Sequence, residues 1–182
     1  MIADKIYCPR LLIISGSGKN TGKTTLVSAL IQSMKPYVKI VAIKISPHFH
    51  PVNYESYLYH EPGKFTVYEE HSFFPENDSS KMKNSGASQV FYLQAKDPYV
   101  GEAFLKCMDY VQESSPVICE SGSLNQVILP GLRIYIQDGQ SVPQPLSDEN
   151  TVAIHRDQEH FKSVVDHILY RSGRWEFHKQ AL

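Results

Sequence analysis

Between Arg10 and Met34 the chain reads RLLIISGSGKNTGKTTLVSALIQSM, and no other stretch leaves it so few ways to fold. Arg10 to Ser15 is a short, almost wholly apolar run, the pattern of a strand buried on both faces of a parallel sheet. It stops at Gly16. After a glycine-rich segment reaching Thr25, the apolar residues Leu26, Val27, Leu30 and Ile31 recur at helical spacing. Strand, glycine-rich loop and helix in that order turn consecutive backbone N–H groups and the positive end of a helix onto one point, which is the arrangement that binds phosphate.

Each residue type in the loop has a task. Gly16, Gly18 and Gly22 let the backbone approach phosphate oxygens, Lys23 brings a positive charge to the terminal phosphates, and Thr24 offers a hydroxyl to a magnesium ion. The expected nucleotide-binding set is Gly18, Lys19, Asn20, Thr21, Gly22, Lys23, Thr24 and Thr25. The common loop of this kind has four residues between its outer glycines. Here Gly16 stands one residue before the position that spacing requires, so the loop is a residue longer. Lys19 either reaches the phosphates or stands solvated at the loop tip.

A length of 182 residues suits one sizeable core, so the chain is read as a single domain over 1–182. Eighteen basic and nineteen acidic side chains leave a net charge of -1, a balance that argues against a dedicated nucleic-acid or membrane-surface binder. The start, Met1-Ile2-Ala3-Asp4-Lys5, lacks the apolar core of a signal peptide, and no run reaches membrane-spanning length, so a cytoplasmic location is expected. Cys8, Cys107 and Cys119 are odd in number and without C-x-x-C spacing, which reads as buried thiols rather than a disulfide framework or a zinc site.

Pro36 closes the first helix, and Val38 to Ile45 reads as a second, β-branched strand. Its charged interior residue, Lys44, falls near the carboxyl end, where open α/β sheets place their ligands; it faces bound phosphate or snorkels out of the sheet. Ser46 to Pro51 is a loop carrying His48 and His50, which with His60 and His71 lack the spacing of a transition-metal site. One of His48 and His50 is expected near the phosphates or a second substrate. Residues 54–74 are dense in aromatics (Tyr54, Tyr57, Tyr59, Phe65, Tyr68, Phe73, Phe74), and Tyr57-Leu58-Tyr59 and Phe65 to Tyr68 flank the turn signal Glu61-Pro62-Gly63-Lys64. This pattern predicts a β-hairpin inserted at 54–74 and protruding from the main sheet, to dock a partner, close over a substrate, or pack on the domain.

Further on, Ser79 to Ser85 reads as a short helix and Ser88 to Leu93 as a third strand. A helix is expected from Asp97-Pro98 to about Gln112, with Phe104, Leu105, Met108 and Val111 on one face. Pro116 to Glu120 is a fourth strand ending in an acid, the shape of a Walker B element whose carboxylate faces magnesium. Leu132 to Ile136 and Val152 to Ile154 read as further strands, residues 139–150 as a surface loop, and Glu159 to Tyr170 as a closing amphipathic helix. Alternating strands and helices predict a three-layer α/β fold of the P-loop NTPase kind with a mostly parallel central sheet.

Gly16 to Thr25, Lys44 with the His48 loop, Asn77-Asp78-Ser79 followed by Ser85-Gly86-Ala87-Ser88-Gln89-Val90, and Val117 to Gly122 come in an order that resembles MobB. That family is the P-loop protein of molybdopterin guanine dinucleotide biosynthesis, an adapter for its nucleotidyl-transfer step. The family's K-D-S, A-G-A and V-E-G stretches stand here as Asn77-Asp78-Ser79, Ser85-Gly86-Ala87 and Cys119-Glu120-Ser121-Gly122. The longer loop and the lysine after the second strand are similar to dethiobiotin synthetase, a related ATP-dependent enzyme.

The resemblance implies a Mg2+-dependent protein that binds ATP or GTP, with Lys23, Lys44 and Glu120 as its working side chains. Thr24 and either Glu120 or Asp78 would manage the metal. It also implies a homodimer and either a partner enzyme served by an adapter with weak hydrolysis or, alternatively, a small-molecule acceptor served by a kinase or ligase. No N-K-x-D run reads guanine, and Arg156-Asp157 is the candidate for the base pocket.

Overall fold

The structure is a computed structural model that describes residues 5–18, 20–52, 57–71, 77–138, 150–156 and 158–178. Its centre is strand β1 (Ile6–Gly16), followed by helix α1 (Lys23–Met34) and strand β2 (Val41–Ser46). Strand β6 (Val117–Glu120) lies between β1 and β2 and pairs in parallel with both, and strand β7 (Ile128–Gln137) lies parallel on the other side of β1. Strand β5 (Gln89–Ala95) pairs parallel with β2, and β8 (Thr151–His155) with β7. With the hairpin strands β3 (Tyr57–Glu61) and β4 (Phe65–Glu69), the order across the sheet is β3-β4-β5-β2-β6-β1-β7-β8. The molecule is thus mixed α/β, with a large, mostly parallel central sheet.

The pleat divides the apolar run of β1 between two cores. Leu12 and Ile14 pack with Leu26, Val27, Leu30 and Ile31 of α1, with Met82 of α2 (Asp78–Asn84), and with Phe161, Val164 and Val165 of α4 (Gln158–Asp166). Leu11 and Ile13 face the opposite side, against Val100, Ala103, Phe104 and Cys107 of α3 (Val100–Met108). Each such fully buried Leu, Ile or Phe contributes roughly 1.5–3 kcal/mol, so the central strands are anchored from both faces. Among the described residues no helix is long and apolar enough to cross a membrane.

Two parts of the sequence reading need correction. The aromatic hairpin forms, but β4 pairs antiparallel with β5 in register Phe65↔Ala95 to Glu69↔Phe91, so it extends the sheet instead of protruding from it. Four of the five β4 residues are buried, and a hairpin standing off in water would expose them. Tyr54, Phe73 and Phe74 lie outside the described residues, as do 139–149 of the expected surface loop.

The closing helix ends at Asp166, short of the expected Tyr170. Strands β9 (Ile168–Arg171) and β10 (Arg174–Phe177) then form an antiparallel hairpin. Smaller differences follow hydrogen bonding: a 3-10 turn at Asp97–Tyr99 precedes α3, which ends at Met108 rather than Gln112. The three cysteines are free; Cys107 and Cys119 are buried, which pushes both thiols up, and Cys8 is half-buried.

Candidate functional site

Register brings the site together. Glu120 at the end of β6 is level with Ile14 on β1 and with Lys44 on β2, so an acid and a lysine emerge side by side at the carboxyl edge of the sheet. Ligands of open α/β sheets collect beyond this edge, at the crevice where neighbouring connections part. A cleft of about 670 Å³ opens there, lined on one side by Gly18 and Asn20 to Thr25, and on the other by Lys44, Asp78, His48 and His50.

The glycine-rich loop is fixed at both ends. The Ser17 amide donates to the Ile136 carbonyl at 3.1 Å and the Ser17 hydroxyl accepts from the Asp138 amide at 3.2 Å. A Cβ on Gly16 would stand 2.7 Å from the Thr21 hydroxyl oxygen and 2.9 Å from the Ile136 carbonyl. Gly22, the N-cap of α1, has φ 88, and a Cβ there would meet the Phe161 ring at 2.7 Å. Among the described residues, the backbone amides of Gly18, Asn20, Thr21 and Gly22 donate to no backbone carbonyl. Helix α1 has neither a side-chain cap nor an acid in its first turn, and its first residue is Lys23. A lysine there opposes the helix dipole, and the carboxylate that approaches this end of the helix is Glu120, through the Thr24 hydroxyl.

Lys23 Nζ donates to the Gly18 carbonyl at 2.5 Å and to the Thr21 hydroxyl at 3.1 Å. Burial holds its pKa below the ordinary lysine value, with Lys44 adding to the effect and Glu120 and Asp78 opposing it. Opposite, the Thr24 hydroxyl donates to Glu120 Oε2 at 2.7 Å. Lys44 Nζ donates to Glu120 Oε1 and to Asp78 Oδ2, the latter at 3.0 Å. The Glu120 side chain is 3% exposed and that of Lys44 18%. Burial works against the Lys44 charge, but attraction to and hydrogen bonding with Glu120 and Asp78 outweigh it, and its pKa is raised. Asp78 likewise suffers from burial, yet Lys44 and Lys81 hold its carboxyl below the ordinary aspartate range.

Most of the expected site residues therefore converge on one cleft: Gly18, Asn20, Thr21, Gly22, Lys23, Thr24, Thr25, Lys44, Asp78 and Glu120 all line it. Lys19 and Asp157 lie outside the described residues. Arg156 lines the cleft, as do three residues the sequence reading did not single out, Ser46, Lys81 and Phe161. Phe161 carried the signal of an amphipathic helix only, and its contact with Gly22 depends on how α4 packs. His60 pairs with Thr66 on the hairpin and does not line the cleft.

Among the described residues no set of three or more His, Cys, Asp and Glu side chains is arranged to hold a metal ion, and the rings of His48 and His50 stand 6.2 Å apart. Magnesium makes a smaller demand: one or two carboxylates, with phosphate oxygens and waters completing the shell. Thr24 fits that demand, because its hydroxyl spends its proton on Glu120 and keeps its lone pairs for a cation, and Glu120 and Asp78, both held by Lys44 here, are the carboxylates the same cleft offers. Comparison of the chain with family models, with curated proteins and with solved structures gives no match.

Proposed function

We propose that this protein binds a magnesium nucleoside triphosphate, with the Gly16 to Thr25 loop as a P-loop within a three-layer fold of that class. The observation that carries the reading is the α1 N-terminus: without a side-chain cap, preceded by amides that among the described residues donate to no backbone carbonyl, headed by Lys23, and open to the cleft. An anion supplies what each of these groups lacks. In this reading the loop amides and Lys23 hold the phosphates, and Thr24 with Glu120 and Asp78 would hold Mg2+. When bound, the metal would offset charge on the phosphate oxygens. Lys44, at the seam of the cleft, gives its ammonium to the terminal or transferring phosphate in exchange for one of its two carboxylates.

Within that class we read the chain as a MobB-like adapter or weak NTPase, a cytoplasmic homodimer that hands nucleotide to a partner enzyme of molybdopterin cofactor synthesis. The alternative is a kinase or ligase similar to dethiobiotin synthetase. What favours it is a cleft that runs past Lys44 to His48 and His50, leaving room for an acceptor. Calorimetric titration with Mg·ATP and Mg·GTP tests the class and shows the base preferred. Lys23→Ala is expected to lower affinity by about a hundredfold, the loss of two charge-assisted hydrogen bonds, with the fold retained and melting still cooperative. Retained affinity overturns the reading. Single-turnover hydrolysis that is indifferent to small acceptors supports the adapter, and acceptor-stimulated turnover supports the enzyme.

A further inference from the structure

In the nucleotide reading above, the cleft beyond Lys44 and Asp78 is left without a role. It runs between Ser46, His48 and His50, in and after β2, and Lys81 of α2. Its loop is built rather than loose. Gln94 on β5, 2% exposed, donates its side-chain nitrogen to the His50 carbonyl at 2.7 Å. Ser46 Oγ lies 3.2 Å from both the amide nitrogen and the carbonyl oxygen of His48. A buried amide is costly unless it is hydrogen-bonded, so Gln94 commits part of the core to fixing a segment whose two imidazoles are exposed. Those rings, 6.2 Å apart, are close enough to be spanned by one small ligand.

The chemistry of this half is weighted toward donors. Each neutral imidazole offers one ring N–H and one acceptor nitrogen, and Lys81 an ammonium, while the Ser46 hydroxyl already donates to the His48 carbonyl. The carboxylate among them, Asp78, already accepts from Lys44 at 3.0 Å and from Lys81 at 3.4 Å. The Lys81 charge and two imidazole N–H groups, beside a carboxylate that is already engaged, favour a ligand that presents charged acceptors, which is an oxyanion.

We infer that the His48 and His50 half of the cleft is a second-ligand subsite, taking the phosphate or carboxylate group of a small molecule while nucleotide occupies the glycine-rich loop. The inference rests on the nucleotide reading above and adds the chemical class of the second ligand. To keep the loop filled, the test uses the full chain saturated with Mg2+ and a nonhydrolysable triphosphate analogue. Inorganic phosphate and malonate are then titrated separately, and the imidazole Cε1 proton signals are followed by NMR, with His48→Ala and His50→Ala assigning them.

Saturable shifts of both imidazoles are expected. In the doubly substituted chain anion affinity should fall by about tenfold or more while analogue affinity stays within about twofold, since two donors are lost on one side of the cleft alone. A response to phosphate points to a phosphomonoester and a response to malonate to a carboxylate. Either supports the subsite. An analogue that fails to bind overturns the nucleotide reading and the subsite with it. An analogue that binds while neither anion shifts the imidazoles, or while the double variant keeps its anion affinity, overturns the subsite alone.

Discussion

Gly18 and Gly22 lie in the same loop for different reasons. At Gly22 the reason is internal: φ is 88 and a Cβ would press on Phe161, so Gly22→Ala should cost about 2 kcal/mol of stability, read by urea unfolding. At Gly18 a Cβ would meet nothing within 4 Å. Gly18→Ala should therefore leave stability within about 0.5 kcal/mol. In the proposed reading, where phosphate approaches that backbone, it should still weaken nucleotide binding by about tenfold. Equal nucleotide affinity in Gly18→Ala would count against a phosphate passing there. The strand, glycine-rich turn and helix from Ile6 to Met34 were legible in the sequence because their signals are local: an apolar run, glycines, then apolar residues at helical spacing. The Lys44 and Asp78 pair was not. Its members are 34 residues apart, and only the packing of α2 against β2 brings them to 3.0 Å.

At the scale of elements, the strands with unbroken apolar runs were readable and the segment after Asp166 was not. Ile168, Leu169 and Tyr170 continue the helical rhythm of Phe161, Val164 and Val165, so the period alone extends α4. The competing signal is the two-residue turn Ser172-Gly173, whose φ values of 49 and 78 are those of a tight hairpin. What holds that hairpin is tertiary. Trp175 is 1% exposed, and its indole N–H donates to the carbonyls of Arg10 at 2.9 Å and Val117 at 3.1 Å, tying β10 to β1 and β6. Trp175→Phe keeps most of the ring but leaves both carbonyls without this donor. It should cost about 2–3 kcal/mol, or roughly 4–12 °C in Tm, and in the proposed reading it leaves nucleotide affinity unaffected. A Tm within a degree or so of the parent chain would mean that β9 and β10 are not coupled to the sheet.

For the molecule as a whole, Lys44 joins three elements through two carboxylates, and this network sets how stability responds to pH. The Asp78 pKa is lower in the folded chain than in the unfolded one, so its contribution is present above about 3.9 and is lost as pH falls through the folded value. Lys44 behaves in the opposite sense. Its raised pKa gives a contribution present below about 10.4 and lost as pH rises through the folded value. Lys23, lowered by burial, carries a cost while charged that high pH relieves. A plateau between about pH 5 and 9 is therefore expected, bounded in acid by Asp78 and in alkali by Lys44.

Asp78→Asn isolates the acid limb. Because the Asp78 side chain is 40% exposed, the pair contributes only about 0.5–1 kcal/mol, so the variant should melt about 1–4 °C lower across the plateau and converge with the parent below about pH 4. Lys44→Met should cost more, roughly 3 kcal/mol, since it leaves the buried Glu120 carboxylate with Thr24 alone. Melting curves of the three proteins from pH 3 to 9 decide the matter. Equal losses in the two variants would show that Lys44 draws its effect from Asp78 and not from Glu120, and would remove the electrostatic link between β2 and β6 on which the organisation of the cleft depends.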